Sequence, residues 1–441
     1  MHSVSRFLAA GAWLACAALA ISQPVLYEGA RLIADARRPP IEDAAFLVEN
    51  GRVVRSGRKG AFPVPAGTVR VDLTGKTVIP ALLDTHIHIG YQKGLSYSAE
   101  NYTYENLADH LRRYAYVGVS AVMSLGTDPG DLPLRVRAEQ EANGGTLFRL
   151  AGRGIAAPNA GPADPALKPS AYGVATETEA RRAVREQIAN NVDFIKIWVD
   201  DRNGTVTKLR PELYRAIIDE AHKNATRVIA HVYYLEDAKD LARAGIDGFA
   251  HLVRDRELDD ETVRLIRRQN ILIMPNLGLA QSRTYSRPPA WLDDALLRET
   301  TPATIIARVR AAYDTRPAAA VEQARKTYAI MQRNLAMLNT AGARIGFGTD
   351  SGAVPDYFHA YNAHRELQLM VEAGMTPGQA LAAATVTSAS FLRLKDRGSL
   401  IAGNRADFLV LDANPLDDIG NTKKIARVYL GGKEVNRTTL K

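Results

Sequence analysis

The densest chemistry in the sequence is Asp84-Thr85-His86-Ile87-His88, placed directly after an apolar run. A strand of period two puts His86 and His88 on one face, so both imidazoles can address the same metal ion. Two histidines so spaced can equally make structural hydrogen bonds, and the pair decides nothing alone. Further along, Phe194-Ile195-Lys196-Ile197-Trp198 sets a lysine inside an apolar strand, where an ordinary ammonium carries a large desolvation cost. Either Lys196 sits near a rim and pairs with Asp193 or Asp200, or its neutral amine takes up carbon dioxide to form a carbamate, an anion whose two oxygens can bridge metals. His231 follows Arg227-Val228-Ile229-Ala230, His251 follows Gly248-Phe249-Ala250, and Asp350 follows Ile345-Gly346-Phe347-Gly348-Thr349. Each stands at the C-terminal end of a candidate strand.

Together, His86, His88, Lys196, His231, His251 and Asp350 can furnish two metal positions and leave room for water. Two divalent cations about 3.5–4 Å apart can share a hydroxide while one polarises a carbonyl or phosphoryl group. Asp350 can take the proton of the attacking water, pass it to the leaving group, and ligate one metal while doing so. A purely structural metal site would more often be closed and four-coordinate, with less use for the extra lysine and carboxylate. Tyr233 and Tyr234 lie just past His231, and one of them is expected to hydrogen-bond a substrate carbonyl or oxyanion. Asp201 and Arg202 either recognise a charged substrate end or form a solvent salt bridge. His110 and His222 fall in expected helices and read as surface or interhelical residues; His359 and His364 either touch the pocket or serve as packing or helix-start residues.

For residues so far apart in sequence to meet, parallel strands must end at one common mouth. Apolar strand candidates do alternate with helical stretches, the pattern of an α/β fold. Strands are expected at 78–83, 119–123, 147–151, 194–199, 227–230, 248–250, 271–274 and 345–348, and helices at 104–117, 132–142, 177–190, 211–224, 235–244, 259–269 and 318–340. Eight strands make a (β/α)8 TIM barrel, assigned to residues 79–394. That region exceeds the roughly 250 residues typical of the fold, and long loops over the mouth account for the excess. One runs from Gly152 past Pro158, Gly161, Pro162, Pro165 and Pro169 to Gly173; another runs from Asn276 to about Thr301 and holds Arg283, Tyr285, Arg287 and Trp291.

The two ends read differently. Short strand-like runs broken by turns fill residues 21–78 and return in 395–441, so a small β-sandwich domain assembled from both termini is expected. With 441 residues, 46% hydrophobic and 24% charged, the chain can bury a sizeable core, which excludes disordered, collagen-like and mini-protein classes. The net charge of +8 is dispersed rather than gathered into a stripe, so no nucleic-acid partner is expected. Residues 1–20 read as a signal peptide, with an apolar stretch at 7–21 ending near Ala18-Leu19-Ala20. A retained anchor is the alternative, but the stretch is short of the about 20 apolar residues that span a bilayer. Cleavage would remove Cys16, the single cysteine, and with it any disulfide or thiolate catalysis of the mature chain, which suits a secreted or bacterial periplasmic protein; lipidation at Cys16 is the other alternative, though the tryptophan three residues before it matches a lipoprotein signal poorly. No stable membrane insertion is then expected; a homo-oligomer is admitted without any order being readable.

With these motifs the chain resembles the metal-dependent amidohydrolase superfamily, especially its Xaa-Pro dipeptidase, imidazolonepropionase and ochratoxin-amidase-like branches. The likeness extends through the tail, where Thr376-Pro377 opens a helix and Gly398-Ser399-Leu400-Ile401-Ala402-Gly403 leads into Ala406–Asp412. A departure is Ala81, where a glycine commonly follows the proline. The resemblance implies that His86 and His88 bind a more buried metal, that a carbamylated Lys196 bridges to a second bound by His231 and His251, and that Asp350 ligates the first metal and shuttles protons. It implies two divalent ions, zinc being expected, and hydrolysis of small amides, N-acyl amino acids or dipeptides, Xaa-Pro included. A lactonase, esterase or organophosphate hydrolase would use the same centre, and a non-enzymatic metal-dependent binding protein is the reading of a different class.

Overall fold

The computed structural model describes residues 23–143, 145–438 and 440. The expected signal segment, with Cys16, lies outside the described residues, and no helix among those described is long and apolar enough to cross a membrane.

Strands from the two ends of the chain build one eight-stranded sheet. Val25–Leu32 is its hub: it pairs antiparallel with Ile41–Glu49, parallel with Val69–Asp72 along its first half, and parallel with Thr77–Pro80 at its end. Thr77–Pro80 in turn pairs with Phe408–Leu411, which pairs with Ile425–Leu430. The sheet folds over itself. Tyr27 stacks on Phe46 at 4.9 Å within one layer, Phe408 stacks on Tyr429 at 4.5 Å within the other, and Tyr27 meets Phe408 edge-on at 5.0 Å across the gap.

The single strand expected at 78–83 is in fact two. The Ala81 amide donates to Asp407 O in the small sheet, whereas the Leu82 amide donates to Gly118 O in the barrel, so adjacent residues serve different sheets. The division set at 78/79 therefore falls inside the strand Thr77–Pro80. Ala81 is buried and has no positive φ, so the position needs no glycine.

Barrel strands follow at Leu82–Ile87, Val119–Ser124, Leu147–Leu150, Ile195–Val199, Val228–Val232, Gly248–Ala250 and Leu272–Met274, all paired in parallel where they pair. The eighth, expected at 345–348, forms no regular strand but joins both neighbours, through a bridge from Ile345 to Ile273 on one side and, on the other, a bridge from Ser351 to Ile87 and bonds that include Thr85 N to Phe347 O and His88 N to Ser351 O. Close packing explains this: a Cβ at Gly348 would lie 2.8 Å from His86 Cβ, so the eighth segment must run hard against the first strand. Helices stand outside as the amphipathic patterns require, for example Glu177–Ala189, begun by a capping box between Thr176 and Glu179. Along Ile195–Val199, residues 195, 197 and 199 pack outward against those helices, leaving Lys196 and Trp198 to face inward. Phe194 stacked on Phe391 at 5.2 Å fills the interior behind them.

The segment after Asn276 is not the bare loop expected. It forms Leu277–Ser282, Ala290–Asp293 and Ala295–Thr300, because Glu366 accepts the Leu277 and Gly278 amides at 2.7 and 2.8 Å and Asp294 accepts the Leu296 amide at 3.1 Å.

Candidate metal centre

A register shift in the first strand sets which way its histidines point. Leu83 pairs with Ala121 and Asp84 with Val122, but Ile87 pairs with Ser124, so an extra residue is accommodated between them. Leu83 faces the barrel interior; strict alternation would have turned Thr85 and Ile87 inward with it. Past the irregularity, His86 and His88 line the interior cavity, and the displaced Asp84 faces the eighth segment. There its carboxylate accepts the Thr349 hydroxyl at 2.6 Å, the Thr349 amide at 3.1 Å and the His86 amide at 3.2 Å. Burial pushes the Asp84 carboxyl up to about 7 despite those bonds.

His86, His251 and Asp350 converge, with one ligand atom from each lying within 4.8 Å of the others. His86 Nε2 is 3.2 Å from Asp350 Oδ1, His88 Nε2 is 3.2 Å from the same oxygen, and His251 Nε2 is 4.0 Å from Asp350 Oδ2. His86 Nε2 is buried without a hydrogen bond, which is the state of a nitrogen whose lone pair is meant for a cation. Its tautomer is fixed from the other side. Asn276 Oδ1 accepts the His251 backbone amide at 3.1 Å, so it must also accept from His86 Nδ1, likewise at 3.1 Å, and Nε2 is left as the free donor to a metal. The His88 ring is oriented by a hydrogen bond between Nδ1 and Thr127 Oγ1 at 2.8 Å. The donor set fits a divalent cation.

Charges in the cluster agree with that reading. Desolvation holds the His86 and His251 imidazoles well below the ordinary histidine range, so both are neutral ligands. Burial alone would raise the Asp350 carboxyl, but the hydrogen bond from His88 and the nearby Lys196 hold it below the usual range, and it is an anion. Three of the supporting residues sit at positive φ without being glycine: His251 at 82°, Asn276 at 51° and Asp350 at 59°. Such backbone persists only where surrounding structure enforces it, and these three residues stand at strand ends that carry or support the ligands.

Lys196 is 1% exposed, and among the described residues its amine has no hydrogen-bond or ion-pair partner and meets only the Trp198 ring, 5.5 Å from its centroid. Neither partner proposed for it is engaged: Asp193 is taken by Arg137 at 3.1 Å and Arg149 at 3.4 Å, and Asp200 by His231 at 3.1 Å. Desolvation pulls the amine down to about 7. His231 stands beside His251, with partners of its own. The rings approach to 4.6 Å, but His231 Nε2 meets Asp200 Oδ2 at 3.1 Å and Arg254 Nη2 at 3.2 Å, and the residue stands outside the cluster of three.

All six expected ligands line one cavity of about 270 Å³ at the C-terminal ends of the strands, together with Tyr233 and Tyr234. The tyrosines differ. Tyr234 donates its hydroxyl to Asp201 at 2.8 Å and accepts the Asn203 amide at 3.1 Å, whereas the Tyr233 hydroxyl has no partner among the described residues. Asp201 accepts from Tyr234 and pairs with Lys208 at 3.8 Å, the salt-bridge alternative, while Arg202 lines the cavity and donates to Gly161 O. Of the long segments, Gly161, Pro162, Leu167, Leu279 and Arg283 reach the cavity, while Trp291 packs on Phe358 and Tyr361 instead. The remaining histidines lie outside the cavity: His110 accepts the Gly90 amide and donates to Gln92 O, His222 pairs with Asp247, His364 donates to Val117 O, and His359, both of whose ring nitrogens are buried without a hydrogen-bond partner, lies 4.0 Å from the His110 ring. Asn276, Thr127, Arg254 and Glu366 were not singled out as site residues by sequence, and an asparagine or threonine following an apolar strand was the only signal any of them carried.

Residues 77–435 match the family model described as the amidohydrolase family. The chain is 28% identical over 418 residues to an imidazolonepropionase of Deinococcus radiodurans, covering 90% of this chain and 92% of that one. It is 27% identical over 267 residues to ochratoxinase of Aspergillus niger, covering 58% of this chain and 48% of the relative. A solved Xaa-Pro dipeptidase with methionine bound in its active site superposes with a TM-score of 0.74 at 22% identity over 93% of this chain and 99% of the other, a likeness of fold.

Proposed function

The chain belongs to the amidohydrolase family and is a metal-dependent enzyme, and on that premise we propose that it hydrolyses small amides, N-acyl amino acids or dipeptides, Xaa-Pro dipeptides included, at a centre of two divalent ions, zinc for preference. The observation that carries this reading is the convergence of His86, His251 and Asp350, with His88 on the same carboxylate, at the floor of a cavity open to small molecules. The second ion belongs on the Lys196 and His231 side, where an unpaired buried amine pulled down to about 7 has the neutral form that carbon dioxide modifies. His231 would release Asp200 and Arg254 to take part. Relatives named for a dipeptide and for ochratoxin support the substrate class.

Divalent ions bound there would acidify water and polarise the scissile carbonyl. Asp350, anionic and beside His86 and His88, receives the proton of the attacking water and returns it to the departing nitrogen, so that water adds across the C–N bond to give an acid and an amine. A carboxylate held so low is a poor base toward free water, and its use here requires an acidified one. Tyr233 offers its unpartnered hydroxyl to the developing oxyanion. Asn276 and Thr127 keep the two histidine rings turned with Nε2 inward.

The test is turnover by zinc-loaded protein on N-acyl amino acids, Xaa-Pro dipeptides, lactones, carboxylic esters and phosphotriesters, with metal counted per chain. Amide cleavage with two metals is expected. Turnover confined to lactones, esters or phosphotriesters, or none at all, would overturn the substrate reading, and a single metal at full activity would remove the second site. Export of the chain with loss of residues 1–20 belongs to the same reading, and the N-terminal mass of protein recovered from the periplasm checks it.

A further inference from the structure

Beyond the metal cluster, the cavity carries two guanidinium groups to which the fold gives no carboxylate. Arg254 Nη2 is 3.2 Å from His231 Nε2 and 3.1 Å from Val232 O, and its Nε is buried with no partner. The group lies over the Tyr233 ring, 4.8 Å from its centroid. Arg283, just past the short helix Leu277–Ser282, is exposed to the cavity, and its side chain has no hydrogen-bond or ion-pair partner among the described residues. The two arginines line one wall system with Tyr233, Lys196 and Asp350 and repel one another.

The acidic groups nearby are already engaged. Asp200 accepts from His231 at 3.1 Å and from the Arg202 amide at 2.8 Å, and Asp350 faces His86 and His88. Elsewhere even exposed arginines find carboxylates, as Arg333 does on Glu257 at 2.6 Å. Like charges concentrated in a concave, low-dielectric cleft focus a positive potential and draw anions into it. A planar guanidinium fork matches a carboxylate better than any other small anion except phosphate.

We infer that Arg254 and Arg283 form a carboxylate subsite, so that the amide cleaved here carries a free carboxylate, and neutral amides are poor substrates. This rests on the amide-hydrolase reading above. It selects N-acyl amino acids and dipeptides from the wider class and names Arg283, which touches no expected metal ligand, as the residue that sets the preference.

Two measurements test it. A panel of N-acetyl-L-amino acids and their carboxamide twins is assayed with zinc-loaded wild type, Arg283→Met and Arg283→Lys, folding being checked by Tm and metal content. The acids are expected to exceed their twins in kcat/KM by about a hundredfold, a preference that collapses in Arg283→Met mainly through KM and partly returns in Arg283→Lys. Equal rates on acid and amide in wild type, or a preference that survives Arg283→Met, would overturn the subsite and leave amide hydrolysis standing. Binding is read independently of turnover, by calorimetry with benzoate and the isosteric benzamide. Benzoate binding that disappears in Arg283→Met supports the subsite even if no amide is cleaved, whereas equal benzoate and benzamide binding, or benzoate binding unaffected by Arg283→Met, overturns it.

Discussion

The small terminal sheet and the mouth of the barrel are built on opposite terms. In the sheet, Tyr27, Phe46, Phe408 and Tyr429 close a buried aromatic cluster whose rings satisfy one another by stacking and edge contacts. At the mouth, Asp84, His86, Lys196, His251 and Asp350 are all buried and ionisable, His86 Nε2 lacks a partner, and three ligand-bearing or supporting residues hold positive φ. A region that folds for its own sake removes polar groups or satisfies them; a region that binds leaves them poised. The difference teaches where stability and activity should separate under mutation.

The sharpest break in that comparison is Asp350→Asn. It keeps size and burial but removes the carboxylate, so kcat should fall by about 10²–10⁴-fold, the range for a lost general base, while the small domain keeps its stability. Turnover against metal content and Tm checks this. The mirror experiment is Phe408→Ala, which should cost about 3–5 kcal/mol in denaturant unfolding yet leave kcat/KM of the folded fraction unchanged. A large loss in kcat/KM there would mean that the sheet participates in the site.

Asn276 sharpens the boundary between the two behaviours. Asn276→Ala removes the acceptor for His86 Nδ1, and metal affinity should drop about 10–100-fold by competition with a chelator; Asn276→Asp, which keeps the acceptor, should retain most of it. A last effect concerns pH. Burial lowers the folded Lys196 amine to about 7 from 10.5, so between those values the unfolded chain binds more protons and stability rises with pH. Metal-free wild type should therefore gain on Lys196→Met across that window, by at most about 1.4 kcal/mol per pH unit, and the gain should stop above it. Paired thermal melts read the difference, and a flat difference would show that Lys196 is solvated after all.

Glu366 shows how far support for the mouth extends. Burial pushes its carboxyl up to about 8, and it caps the amides of Leu277 and Gly278, next to the residue that orients two histidines. Nothing around Glu366 in sequence hints at this, because its partners lie in a segment that reads as loop.

Much of the molecule was legible in the sequence because its signals are local. A period of two placed His86 and His88 on one face, Lys196 stood inside an apolar run, His231, His251 and Asp350 stood at the ends of such runs, and periodicity marked the long helix Ala318–Thr340 to the residue. Only the tertiary structure decided what depends on a partner far along the chain. It put Thr77–Pro80 and Leu82–Ile87 in different sheets and shifted the register that turns His86 and His88 inward. It also denied Lys196 both of its expected carboxylates, engaged His231 with Asp200 and Arg254, and left Arg254 and Arg283 facing one cavity. Sequence spacing determines which face of an element a side chain shares with its neighbours; which group meets it there is settled by packing, where desolvation makes an unpaired charge costly enough to mark a site.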